Sequence, residues 1–189
     1  MTNLPRNIPN ISTKPSRLSS IGDLQYTKRN KGKYRSAKQG LFKLTHPEKF
    51  IKVLDEHMGS SKNEGYVEYK SSLEYKAIKY ADFNPLVKCW SMEPFAIPYV
   101  KPTDNKIHRY YIDLFLEFQN GEKFLIEVKS YSETIPPIKP KYMHPKAVYR
   151  YVNEMMTFKI NQAKWDSAKK FAEKKGLHFA ILTEKQLNF

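Results

Sequence analysis

The chain has 189 residues, 40% hydrophobic and 14% aromatic, enough for one domain with a real core plus an extension. One cysteine, Cys89, excludes an intramolecular disulfide, and no stretch approaches the roughly 18 consecutive apolar residues of a membrane span. The net charge is +14, with ten Lys/Arg against Asp23 in residues 1–47 and ten against Glu154, Asp166 and Glu173 in residues 136–175. Two basic blocks suit a polyanion partner, although a solvated basic surface carries the same bias. The opening "MTNLPRNIPN" lacks the apolar core of a signal peptide, so a soluble, intracellular-type protein is expected.

Residues 1–38 are rich in Asn, Pro, Ser, Lys and Arg and hold only two aromatics, Tyr26 and Tyr34. That composition buries too little apolar surface to offset chain entropy, which predicts a flexible basic arm ahead of a domain over 39–189. Pro47 sits in the first turn of a short expected helix, "PEKFIKVLDEHM", followed by a loop over 59–65. In 71–85, Leu73, Ala77, Ile78 and Ala81 recur at helical spacing until Asn84-Pro85 stops the helix. Short strands are expected at 87–91 and 95–99, then a polar loop, "KPTDNK".

A hairpin over 108–131 supplies the central strands, and a Pro-rich loop spans 132–145. A long helix covers about 146–175, with a break expected near Asn161 and Gly176 as its stop; "LHFAIL" forms the last strand. This order predicts an α/β fold, a central mixed β-sheet flanked by helices.

The hairpin contains charges that strands disfavour: Asp113 in one limb, Glu127 and Lys129 in the other. Ile112, Leu114, Leu116 and Phe118 share one parity, as do Phe124, Ile126 and Val128. Residues opposite each other in an antiparallel pair point the same way, so these faces coincide only when paired numbers sum to an even value. A two-residue Asn120-Gly121 turn splits the core. A three-residue loop with Gly121 left-handed pairs Phe118 with Glu122 and keeps the core together. The same register sets Asp113 opposite Glu127, with Lys129 next along that face.

Two acids and a lysine can hold Mg²⁺ and place a cation near a phosphate, and they can equally be a surface salt-bridge set on a solvated sheet face. Glu74 also has two readings. Ser71-x-x-Glu74 is a capping box, in which the glutamate bonds back to the cap residue's N–H. Trp165 reads as core, whereas Asn161, Gln162 and Lys164 suit a phosphate-facing cleft. The five histidines lack zinc-ligand spacing, and the chain has no GxxxxGK phosphate loop.

An Asp, thirteen residues and then Glu-Val-Lys, after a helix bearing Glu, resembles the PD-(D/E)xK nuclease core. The stretches "PYV…HRYYIDLFLEF…EKFLIEVK", "ETIPPIKP" and "NEMMTFKINQAKWDSAKKFAEKKGLHFAILTE" resemble the head-completion nucleases of contractile-tailed phages, relatives of TnsA-type transposon endonucleases. The resemblance runs weakly upstream to "GLFKLTHPEKF" and "YKSSLE", covering roughly 40–185. It implies a restriction-endonuclease-like core.

It also implies Glu74, Asp113, Glu127 and Lys129 as catalytic residues, and Mg²⁺ or Mn²⁺ held by Asp113, Glu127 and the Val128 carbonyl. The family usually has Tyr-Arg-Ser-x-Trp-Glu where this chain has Tyr69-Lys70-Ser71-Ser72-Leu73-Glu74, which touches DNA contacts near that helix and not the carboxylate.

The function expected on this resemblance is a Mg²⁺-dependent endodeoxyribonuclease that trims or finishes packaged double-stranded DNA before tail attachment. Lys70, Arg109, Lys139, Lys141, Asn161 and Lys164 would meet the nucleic acid. Portal or neck proteins of a phage head would be partners, the host cytoplasm and the virion its locations, and no membrane would be involved. The alternatives are a structural DNA-binding neck or portal-vertex protein with an unused nuclease fold, and a transposon- or restriction-type endonuclease.

Overall fold

The structure, a computed structural model, describes residues 39–52, 65–142 and 144–187. Its elements are β1 (Gly40–Lys43), a 3-10 turn (Pro47–Lys49), β2 (Tyr66–Tyr69), α1 (Ser72–Phe83), β3 (Val87–Met92), β4 (Ala96–Lys101) and β5 (Lys106–Tyr111). Then follow β6 (Leu114–Phe118), β7 (Lys123–Val128), α2 (Tyr131–Thr134), α3 (Pro145–Lys174) and β8 (His178–Leu182). The predicted arm over 1–38 lies outside the described residues, as do 53–64.

β3, β6, β7 and β8 form one mixed sheet in that order, with β7 antiparallel to β6 and parallel to β8. Alternation along β7 shows how it is covered. Phe124, Ile126 and Val128 join Leu114, Leu116 and Phe118 in a cluster with Ala77, Ile78 and Ala81 of α1. Leu125 points the other way, into a second cluster with Trp165, Ala168 and Ala172 of α3. Both faces of β7 are therefore apolar and buried.

The hairpin register is the one the parity demands. Glu117 pairs with Lys123 and Leu114 with Ile126. Phe118 N–H donates to the Glu122 carbonyl at 2.9 Å, Gly121 N–H returns to Phe118 at 3.0 Å, and Gly121 has φ +86°. Gly176, at φ +67°, ends α3: its N–H reaches Glu173 and the Leu177 N–H reaches Ala172, the two bonds of a Schellman cap.

Five expectations need correction. The first hairpin limb is not one strand. It divides at Ile112–Asp113, so β5 pairs with β4 as a separate ribbon, and Ile112 packs in the α3-side cluster and not with Leu114. The helix expected from Pro47 is only a 3-10 turn among the described residues. Phe50 and Ile51 instead run extended beside β3, where the Ile51 N–H donates to the Trp90 carbonyl at 2.8 Å. α3 continues through Asn161 without a break. Tyr131–Thr134 forms one helical turn inside the segment read as loop. β1 and β2 pair as an unanticipated ribbon, whose Phe42 and Val67 cover the α1-side cluster.

Candidate active site

The site forms where the odd-numbered face of β7 meets the ribbon and α3. Glu127 points to that face and is only 4% exposed, so the reading of a solvated salt-bridge set fails. Asp113 sits in the bend before β6, one residue beyond the last ladder pair, Leu114 with Ile126. The Val128 N–H donates to Asp113 Oδ2 at 2.7 Å, which ties the break to β7. Burial first, then the charge of Glu127, raises the Asp113 carboxyl well above the usual carboxylate range, against the lowering effect of the Val128 N–H.

Two lysines flank the pair. Lys129 Nζ lies 3.5 Å from Glu127 Oε1. Its burial works against its charge, but Glu127, Glu133 and Asp113 outweigh that and hold the ammonium above its ordinary range. Lys164 comes from α3. Burial depresses it, and Lys129 and Lys101 push the same way against the pull of Glu127 and Asp113. Its Nζ stands 5.5 Å from the Tyr110 ring centroid and 5.9 Å from that of Tyr99.

Glu74 is at the edge of this group. Ser71 caps α1 by accepting the Glu74 N–H at 3.1 Å, while the Glu74 carboxylate accepts from the Lys70 N–H at 2.8 Å. The capping box is thus shifted by one residue, the return bond going to the residue before the cap. The Glu74 charge nevertheless acts on Asp113. Lys70 pairs with Glu93, whose N–H donates to the Asp113 carbonyl at 2.9 Å.

The remaining candidates scatter. Arg109 is exposed on the ribbon opposite Pro98, and Lys139 and Lys141 are exposed on the irregular segment before α3. Asn161 is buried in α3 and lines a groove facing segment 132–137.

Sequence reasoning missed Tyr110 and Glu93. Tyr110 donates its phenol to Glu127 Oε2 at 2.5 Å. In the sequence it reads as one more apolar ribbon residue, and nothing local points it at Glu127. Glu93 adopts φ +45° after β3, a conformation its side chain type does not announce.

The chemistry of the donor set suits a divalent cation. A half-buried and a buried acid influence one another here, and Asp113 Oδ1 is not the oxygen that Val128 occupies. Among the described residues no three His, Cys, Asp or Glu side chains converge on one point.

Residues 84–184 match the family described as TnsA-like endonuclease N terminal. The chain belongs to that family. Asp113, Glu127, Lys129 and Lys164 lie inside the matched segment of this TnsA-like protein, and Glu74 lies upstream of it. Over 118 residues the chain is 37% identical to the head completion nuclease of Enterobacteria phage T4, covering 62% of this chain and 79% of that protein. The TnsA-like domain is restriction-endonuclease-like, with the mixed sheet and flanking helices expected of it. Among the described residues no helix is long and apolar enough to cross a membrane.

Proposed function

We propose that this TnsA-like protein is a metal-dependent DNA endonuclease of phage head completion, hydrolysing phosphodiester bonds to trim or finish packaged double-stranded DNA before tail attachment. The observation that carries the reading is the pairing of a half-buried Asp113 with a buried Glu127, flanked by Lys129 and Lys164, inside the TnsA-like segment. The name of its T4 relative supports the head-completion role. On this reading it works in the host cytoplasm and the virion and meets portal or neck proteins there.

Asp113 and Glu127, with the Val128 carbonyl, would hold Mg²⁺ or Mn²⁺. When bound, such an ion neutralises charge on the scissile phosphate and lowers the pKa of water. The protein's own groups do the rest. Lys129, fixed by Glu127, directs its N–H donors toward the attacking water or a phosphate oxygen, where charge grows as the new P–O bond forms and the old one breaks. Lys164, over the faces of Tyr99 and Tyr110, places a second cation against the phosphate from α3. Glu74 is close enough to influence Asp113 and would complete the site or accept a proton from the water. Lys70, Arg109, Lys139, Lys141 and Asn161 would contribute to the DNA path.

Incubating the purified protein with plasmid and Mg²⁺, Mn²⁺ or EDTA tests this. Nicking or linearisation with either metal and none with EDTA is expected. A protein that binds DNA and leaves it intact under every condition would overturn the reading in favour of a structural DNA clamp.

A further inference from the structure

Glu127 is reached from its α3 side by a strand that does not belong to the central sheet. Tyr110 lies on the β4–β5 ribbon, opposite Ile97 in its register, and is 5% exposed. Its phenol donates to Glu127 Oε2 at 2.5 Å, while the other oxygen, Oε1, faces Lys129 Nζ at 3.5 Å. The ring has little freedom. It packs in the cluster of Ile112, Leu125 and Trp165, and Lys164 Nζ stands over it at 5.5 Å from the centroid.

A glutamate has three side-chain torsions, and Glu127 is beside another carboxylate. Without a fixed partner, repulsion from Asp113 and attraction to Lys129 would both turn it from the shared position. A hydrogen bond from a hydroxyl to a carboxylate, short and desolvated, is the strong kind that opposes such a turn. For packing alone, phenylalanine would serve.

We propose that Tyr110 is a positioning residue of the metal site, holding the Glu127 carboxylate beside Asp113 so that both acids face one cation. The inference rests on the metal-nuclease reading above.

The Tyr110→Phe variant removes only the hydroxyl. Mn²⁺ binding is measured by calorimetry on the full-length protein without DNA, alongside melting temperature and a Mg²⁺ titration of plasmid cleavage. The expected result is Mn²⁺ binding weakened about 10–100-fold, the range seen when hydrogen bonds to metal ligands are removed. The Mg²⁺ concentration for half-maximal cleavage should rise in parallel, with the rate at saturating Mg²⁺ falling much less. Tyr99→Phe, from the same cluster, should bind Mn²⁺ as the parent does.

Parental Mn²⁺ affinity in Tyr110→Phe would overturn the inference and leave the nuclease reading standing. Equal weakening in Tyr99→Phe, or a large drop in melting temperature, would overturn it as well by assigning the effect to packing. A parent that neither binds Mn²⁺ nor cuts would overturn both readings together.

Discussion

Asp113 and Val128 are joined by a 2.7 Å hydrogen bond from the Val128 N–H to Asp113 Oδ2. This bond closes the gap that the strand break leaves at the end of the β6–β7 ladder. It also fixes which Asp113 oxygen is engaged and which stays available. The bond exists only in the even-sum register, because a shift by one residue would turn Asp113 to the α1 face. Strand pairing and site assembly are therefore the same event.

Gly121→Ala should test how firmly the turn holds that register. The position has φ +86°, and a Cβ there would meet no atom within 4 Å, so the cost is in the backbone alone. A destabilisation of about 1–2 kcal/mol is expected from placing an L side chain in the left-handed region. Urea unfolding measures it. Cleavage should persist, since the apolar faces of β6 and β7 still demand the same pairing.

Asp113→Asn should stabilise the metal-free protein while abolishing cleavage. The folded pKa of Asp113 is raised above the unfolded value of about 3.9, so the stability linked to its protonated form is present below that value. It is lost as pH rises through the raised folded pKa. In EDTA the parent should thus weaken as pH increases toward neutral, and the variant less so. Near neutral pH the variant should melt above the parent in EDTA, as thermal unfolding would read. A variant less stable than the parent at neutral pH would show that the Val128 bond needs the full carboxylate.

Lys129→Met should reduce cleavage by about 10²–10³-fold, the effect typical of removing one donor to a developing charge. Duplex affinity should change little, because Lys129 neutralises one phosphate among several held by the basic surface. Gel-shift and single-turnover cleavage assays separate the two effects. Equal cleavage by variant and parent would remove Lys129 from the chemistry.

Deleting residues 1–38 removes nine Lys/Arg and no residue of the site. For every phosphate that the arm neutralises in the full-length protein, the deletion should flatten the slope of log affinity against log salt by about 0.9 on duplex DNA. An unchanged slope would assign the arm to a protein partner. Cleavage at saturating DNA should be retained.

What the sequence determined by itself was local. The parity of Leu114, Leu116 and Phe118 against Phe124, Ile126 and Val128 decided the hairpin register, because side chains alternate strictly along a strand and a left-handed glycine can supply the odd loop residue. That register ends at Leu114 and Ile126, the chain neighbours of Asp113 and Glu127. Ser71, Asn84 and Gly176 marked helix ends for equally local reasons, since each satisfies backbone groups within a few residues.

Parity says which residues share a side but not what covers it. Both faces of β7 are buried, so Ile112 and Leu114 look alike in sequence while belonging to opposite clusters. Only the tertiary structure broke the strand between them, folded the β4–β5 ribbon over the odd face, and so delivered Tyr110 to Glu127. Only it brought Lys164, from a helix far along the chain, over the same tyrosine. Those interactions depend on packing between elements that share no local pattern, and they bring Tyr110 and Lys164 to the charges of the hairpin.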